Sequence, residues 1–218
     1  MCIRDRDKVE ASVGADFVSN YIWRGTDCGG VSIQPSMGVS YKGLSLAAWG
    51  SVGIDKEDAR EIDLTLGYNT GGFNVSVTDY WFSYHKEDGG YTGDYFKYGA
   101  HSTIHIFEAT LGYDFGPLAL SWNTYFAGDD YTKENGDRAY STYVGISAPF
   151  KLGGLDWSAE VGLTPWEGAY ANKFNVTNLT LKAEKEIKFT NSFSLPTFAQ
   201  VTFNPHTQGA YFVFGVSF

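Results

Sequence analysis

The chain has 218 residues, of which 17% are aromatic and only 19% are charged, and its formal net charge is −9. Soluble domains carry roughly a quarter charged residues, so this balance points to a surface that meets something other than water. The acidic excess argues against a nucleic-acid partner, which needs a basic patch, and no stretch reaches the roughly 18 to 20 apolar residues of a spanning helix.

Taken in chain order, residues 1–6 read as a non-native leader without the apolar core of a signal peptide. The expected domain is then 7–218, a single unit, with the true export signal missing from this sequence. From Lys8 the apolar residues recur at every second position, the period of a strand with two unlike faces. Val9, Ala11, Val13, Ala15, Phe17, Tyr21 and Trp23 share one face; Glu10, Ser12, Gly14, Asp16, Asn20 and Arg24 share the other. The pattern returns in Ile62, Leu64, Leu66 and Tyr68 and again in Phe107, Ala109, Leu111 and Tyr113.

About twelve such segments follow, each near the length that a tilted membrane strand needs. They run over 8–24, 32–42, 44–54, 60–69, 73–84, 102–114, 117–127, 138–150, 155–165, 175–188, 192–204 and 209–218. Short turns follow the even segments, at 42–43, 69–72, 114–117, 151–154 and 190–191. Longer polar loops follow the odd ones, at 25–31, 55–59, 85–101, 128–137 and 166–174. This alternation predicts an all-β transmembrane antiparallel up-and-down barrel of the bacterial outer membrane, with short periplasmic turns and long external loops. Strict parity places Asp79 beside Phe73, Val75 and Val77 on the lipid face, which signals a bulge in that segment.

A weak repeat of aromatic, glycine turn and apolar residue marks the short-turn rim, as in Tyr41-Lys42-Gly43-Leu44. Its aromatics, with Trp157, Phe189, Phe193 and Phe218, suit a girdle at the membrane boundary. The last segment sets Phe212, Phe214, Val216 and Phe218 on one face. A terminal phenylalanine after alternating apolar residues resembles the signal read by the barrel-assembly machinery, so Phe214, Val216 and Phe218 are the expected assembly signal.

Ser19-Asn20-Tyr21-Ile22-Trp23-Arg24-Gly25 resembles the Ser-Asp-Tyr-aromatic-Arg-Gly motif of the TorF-type porin family of outer-membrane barrels. Gly38-Val39-Ser40-Tyr41, Trp49-Gly50-Ser51 and Glu61-Ile62-Asp63 through Gly67-Tyr68 are similar to that family's next elements, in order. The likeness covers roughly the first third of the chain, with a looser echo from Phe107 to Leu118. Where the family continues with serine, this chain has Thr26-Asp27-Cys28. The resemblance implies a porin and supplies no substrate.

By parity the lumen is lined by Glu10, Asp16, Arg24, Glu61, Asp63, Glu108, Asp156, Glu160, Lys182 and Glu184. In an open lumen that passes small solutes or ions, this acid excess favours cations. In the alternative, Arg24 and Lys182 pair with neighbouring carboxylates and plug a barrel too narrow to conduct, leaving structural or adhesive work to the loops. A soluble carbohydrate-binding β-sandwich accounts for the aromatics but not for the loop alternation. The acidic, aromatic loops, including His85-Lys86-Glu87-Asp88 and Asp129-Asp130-Tyr131, suit contact with outer-membrane lipid and lipopolysaccharide. Enzymatic activity is not expected, since none of His85, His101, His105 and His206 shares a strand face with a closely spaced serine. No cofactor, zinc or calcium spacing is present. Cys28 is expected as a free thiol in an external loop, too far from Cys2 to form a disulfide.

Overall fold

The computed structural model describes residues 8–86, 90–100, 102–191 and 193–218. The leader with Cys2, together with Glu87, Asp88 and His101, lies outside the described residues. The chain begins with β1 (Glu10–Val18), two short strands β2 (Tyr21–Trp23) and β3 (Thr26–Gly29), then β4 (Ser32–Tyr41) and β5 (Leu44–Gly53). It continues through β6 (Arg60–Thr70), β7 (Phe73–Ser83), β8 (Ile106–Asp114), β9 (Ala119–Gly128) and β10 (Thr142–Leu152). The last strands are β11 (Leu155–Thr164), β12 (Asn175–Lys188), β13 (Ser194–Asn204) and β14 (Gly209–Ser217).

Twelve of these strands, β1 and β4 to β14, close into one antiparallel barrel in chain order. The all-β up-and-down architecture expected from the alternation is therefore the architecture observed. Period-two alternation sorts the side chains: Val13, Met37, Leu46, Leu66, Leu111 and Phe212 stand exposed on the outer wall. Ser32, Ser51, Glu61, Thr78, Glu108, Thr142 and Thr202 are buried on the opposite, inward face of their strands. The tight turns Lys42-Gly43, Gly71-Gly72 and Gly153-Gly154 carry positive φ at both central residues, the backbone twist that matches two antiparallel strands. The girdle residues Tyr41, Tyr68, Tyr113, Phe150, Phe189, Phe193 and Phe218 all stand exposed along this short-turn rim, and Phe150 stacks on Trp157 with ring centroids 6.0 Å apart.

The ring closes between the first and last barrel strands. The Ala15 and Phe218 amides and carbonyls exchange hydrogen bonds of 3.2 and 2.9 Å. Higher up, the Ser19 amide donates to the Phe214 carbonyl at 2.9 Å, and the Phe214 amide donates to Ser19 Oγ at 2.9 Å. A motif residue near the start thus clasps the terminal strand.

Three expectations are corrected. The first strand ends at Val18, not at residue 24, because Ser19 completes the seam and the chain then turns inward. Tyr21 and Trp23 therefore leave the outer face, and 25–31 is not an external loop but part of an inserted hairpin. No bulge relieves Asp79: β6 and β7 pair without a register shift, and Leu64 lies opposite Asp79, so Asp79 does face outward. It is met there by His105 Nδ1 at 2.6 Å and by the Tyr98 hydroxyl at 3.3 Å, from the β7–β8 connection folded down over the wall. Bulges fall instead between Phe107 and Glu108 and between Gly162 and Leu163. The segments expected from residues 102 and 138 begin at Ile106 and Thr142, their first residues being used by the loops.

Candidate functional site

The hairpin β2–β3 forms a sheet of its own, with Tyr21 opposite Gly29, Ile22 opposite Asp27 and Trp23 opposite Thr26. At its tip Arg24 has φ 50° and Gly25 φ 80°, a two-residue turn with both central residues left-handed. The tip rests on the far wall. A side chain at Gly25 would put its Cβ 2.0 Å from the Thr177 carbonyl oxygen, and Asn204 Nδ2 donates to the Gly25 carbonyl at 3.0 Å in a buried contact. At the base, the Gly30 amide donates to Asp58 Oδ1 at 3.2 Å and the Ile54 amide to the Val31 carbonyl at 2.8 Å. The hairpin is thus anchored at tip and base, and lies across the lumen.

Arg24 carries the tip's main contact. Its Nη1 and Nη2 donate to Glu108 Oε2 at 2.5 Å and Oε1 at 2.9 Å, the two-pronged geometry of the strongest ion pairs. Nη1 also donates to the Tyr170 hydroxyl at 2.6 Å, and the Tyr80 hydroxyl donates to Glu108 Oε1 at 2.9 Å. The guanidinium carbon lies 4.3 Å from the Trp23 ring centroid and 4.7 Å from that of Tyr143. Glu108 is only 1% exposed. A carboxylate this deep is tolerated because both oxygens are engaged; removing one partner of such a pair costs about 3–5 kcal/mol.

Among the described residues, a cavity lies on either side of the hairpin. One, of about 450 Å³, lies on the long-loop side, with Tyr21, Trp23, Asp27, Cys28, Glu61, Tyr84, Asp129 and Tyr170 in its wall. The other, of about 340 Å³, lies on the far side of the tip against Ser121, Asn123, Tyr143, Glu160, Asn178, Gln200 and Thr202. Trp23 belongs to both walls. In the second cavity Glu160 Oε1 accepts from the Tyr143 hydroxyl at 2.5 Å and from Asn178 Nδ2 at 2.9 Å. Asn123 Nδ2 donates to the Tyr143 carbonyl at 3.0 Å.

The expected lumen residues separate into distinct places. Arg24 and Glu108 meet at the hairpin tip, Arg24 reaching the lumen through the hairpin and not along a wall strand. Glu61 and Asp63 are neighbours on the inner face of β6, below Tyr21, and Asp63 Oδ1 is buried without a hydrogen bond. Glu160 belongs to the second cavity. Lys182 pairs with Glu184 at 2.6 Å and lies 4.3 Å over the Phe198 ring. Asp156 pairs at 2.5 Å with Lys151, a residue the parity reading passed over, both exposed near the short-turn rim. Asp16 sits half-buried opposite Gln34. The motif residues Ser19, Tyr21, Arg24 and Gly25 all serve the hairpin: Ser19 at its root, Tyr21 against Trp49 with ring centroids 5.4 Å apart, and Arg24-Gly25 at its tip.

Cys28 is not in an external loop but on β3 beside the first cavity, and it is a free cysteine. Burial, reinforced by the charges of Glu61 and Asp27, pushes its thiol up to about 12. Sequence reasoning also missed the tyrosines around Arg24. Tyr80, Tyr125 and Tyr143 were legible from parity, as partners of Asp63, Glu108 and Asn123 on the inner face. Tyr170 comes from a loop and carried no periodic signal. Both ring nitrogens of His105 are engaged, by Asp79 and by the Tyr95 carbonyl at 2.7 Å. His206 Nδ1 lies 3.0 Å from Asn175 Nδ2. Among the described residues, no group of three or more His, Cys, Asp or Glu is placed to hold a metal ion. In comparisons with known proteins, no protein-family model matches the chain and no curated protein matches it.

Proposed function

We propose that this chain is an outer-membrane barrel that serves as a narrow channel for small ions and solutes, with its bore set by the inserted hairpin. The observation that carries the reading is the β2–β3 hairpin held across a closed barrel by Arg24 and Glu108, with a cavity on either side. The outer wall of exposed valine, leucine and phenylalanine suits lipid, and a closed ring leaves no strand edge unpaired in hydrocarbon. In this reading the short turns face the periplasm and the long loops face outward among lipopolysaccharides. The Phe214–Phe218 strand is the part offered to the assembly machinery. The Ser19–Gly25 motif supports kinship with TorF-type porins. Glu61 lines the outer cavity and Glu160 the inner, while the Arg24 charge is spent on Glu108; the remaining negative field favours cations. No enzymatic activity is part of the reading.

A second reading, a barrel that never conducts, is favoured by the depth of the Arg24–Glu108 pair. Planar-bilayer recording of the refolded chain under a potassium chloride gradient separates the two. Small discrete steps with a cation-directed reversal potential, enlarged several-fold in Arg24→Ala, are the expected result. Silence from both the native chain and a variant lacking residues 20–29 would leave only the second reading.

A further inference from the structure

We propose that the cavity on the long-loop side is a binding site for a small organic cation of the alkylammonium type. The proposal goes beyond conduction and rests on the channel reading only for the side from which the cation arrives. At about 450 Å³ the cavity falls in the range of small-molecule sites. Among the described residues its wall carries three carboxylates, Asp27, Glu61 and Asp129, and no lysine, arginine or histidine. Of the cations adjoining its wall residues in sequence, Arg24 is neutralised by Glu108, and the Arg60 guanidinium lies 3.7 Å over the Tyr91 ring.

The three acids come from three separate elements: β3, β6 and the segment after β9. They set up a negative field over the whole cavity without converging on a point, and among the described residues no metal-binding group forms. A bare metal ion needs converging oxygen ligands, whereas a bulky ammonium, its charge spread over methyl or methylene groups, needs only the field and apolar faces. Those faces are supplied by the rings of Tyr21, Trp23, Tyr84 and Tyr170. Trp23 and Tyr170 already meet the Arg24 guanidinium, at 4.3 and 5.8 Å, so the rings not taken up by Arg24 are those of Tyr21 and Tyr84. Tyr84 stands half-exposed at the cavity wall.

The test is calorimetric titration of the detergent-folded barrel at fixed ionic strength. Tetramethylammonium chloride is the probe and neopentyl alcohol, of similar size, the neutral control. The expected result is saturable binding of tetramethylammonium only, with a dissociation constant raised about tenfold in Glu61→Gln and in Tyr84→Ala, and less in Asp129→Asn. Heat-dependent mobility on a gel verifies folding of each variant, and Asp129→Asn, outside the spanning part of the wall, keeps the test valid if Glu61→Gln fails to fold. Absence of tetramethylammonium binding, equal binding of the alcohol, or affinities unchanged in every folded variant would overturn the proposal. The titration uses no membrane and reads no current, so its failure is distinct from failure of the channel reading.

Discussion

His105 Nδ1 lies 2.6 Å from Asp79 Oδ1 on the outside of the barrel wall, with its imidazole completely buried beneath the β7–β8 connection. The other ring nitrogen is held by the Tyr95 carbonyl, and the Tyr98 ring packs 4.3 Å from the imidazole. An acidic residue on the apolar face is thereby converted into an anchor for an external loop. Replacing Asp79 by alanine leaves a buried nitrogen without its acceptor, at a cost of about 1–3 kcal/mol. We expect faster proteolysis within 90–105 and a lower urea midpoint, with Asp79→Asn, which keeps an acceptor, affected less. Unchanged proteolysis in Asp79→Ala would show that the loop is held by its rings alone.

Arg24→Lys retains the charge but gives up the two-pronged contact and the planar stacking against Trp23 and Tyr143. Single-channel conductance of this variant should fall between those of the native chain and Arg24→Ala. Identity with the native value would mean that charge alone holds the tip.

Cys28 offers a direct reporter of the hairpin. Its thiol is pushed by burial from its ordinary value of 9.0 up to about 12, so the protonated form dominates at pH 8 and alkylation by iodoacetamide should be slow. A folded-state value raised above the unfolded one contributes stability that is fully present below pH 9.0 and is lost as pH climbs towards about 12. In a chain carrying Cys2→Ser, labelling should therefore accelerate above pH 9.0. It should also accelerate at pH 8 in Glu108→Gln, which frees the tip. Rapid labelling of the native hairpin at pH 8 would contradict the inserted position.

Gly25→Ala tests the tip without changing any charge. The new methyl group would meet the Thr177 carbonyl oxygen at 2.0 Å, in addition to the left-handed backbone at φ 80°. Gly153, with φ 62° and nothing within 4 Å of an added Cβ, is the control. Gly153→Ala should cost about 1 kcal/mol from backbone strain alone. Gly25→Ala should cost more and should also speed Cys28 labelling, which Gly153→Ala leaves unchanged.

The barrel was legible because each wall strand repeats a two-residue period, and its turns announce themselves through pairs such as Gly71-Gly72 and Gly153-Gly154. The same period misled at one point. Tyr21 and Trp23 continue the parity of Val13 and Phe17, so nothing local marks Ser19 as the place where the wall ends. What decides it is Phe214, nearly the whole chain away, whose amide donates to the Ser19 hydroxyl oxygen. Asp79 was flagged as out of place for a sound reason, but the remedy was a histidine from a loop and not a bulge. The latch around Arg24 joins residues from four wall strands, β7 to β10, and a loop, a convergence that periodicity does not encode.

The seam at Ser19 bears on how the molecule is put together. Contacts between Arg24 and Glu108, Arg24 and Tyr170, and Gly25 and Asn204 span 84, 146 and 179 residues, whereas Ser19 to Phe214 spans 195. Closure entropy grows with the length of the loop closed, and contacts remote in sequence form late. The hairpin can therefore engage β8 and then the later strands before the first and last barrel strands meet. Of these contacts the hairpin's hold on β8 closes the shortest stretch of chain and the Ser19–Phe214 seam the longest, so the seam carries the largest closure cost.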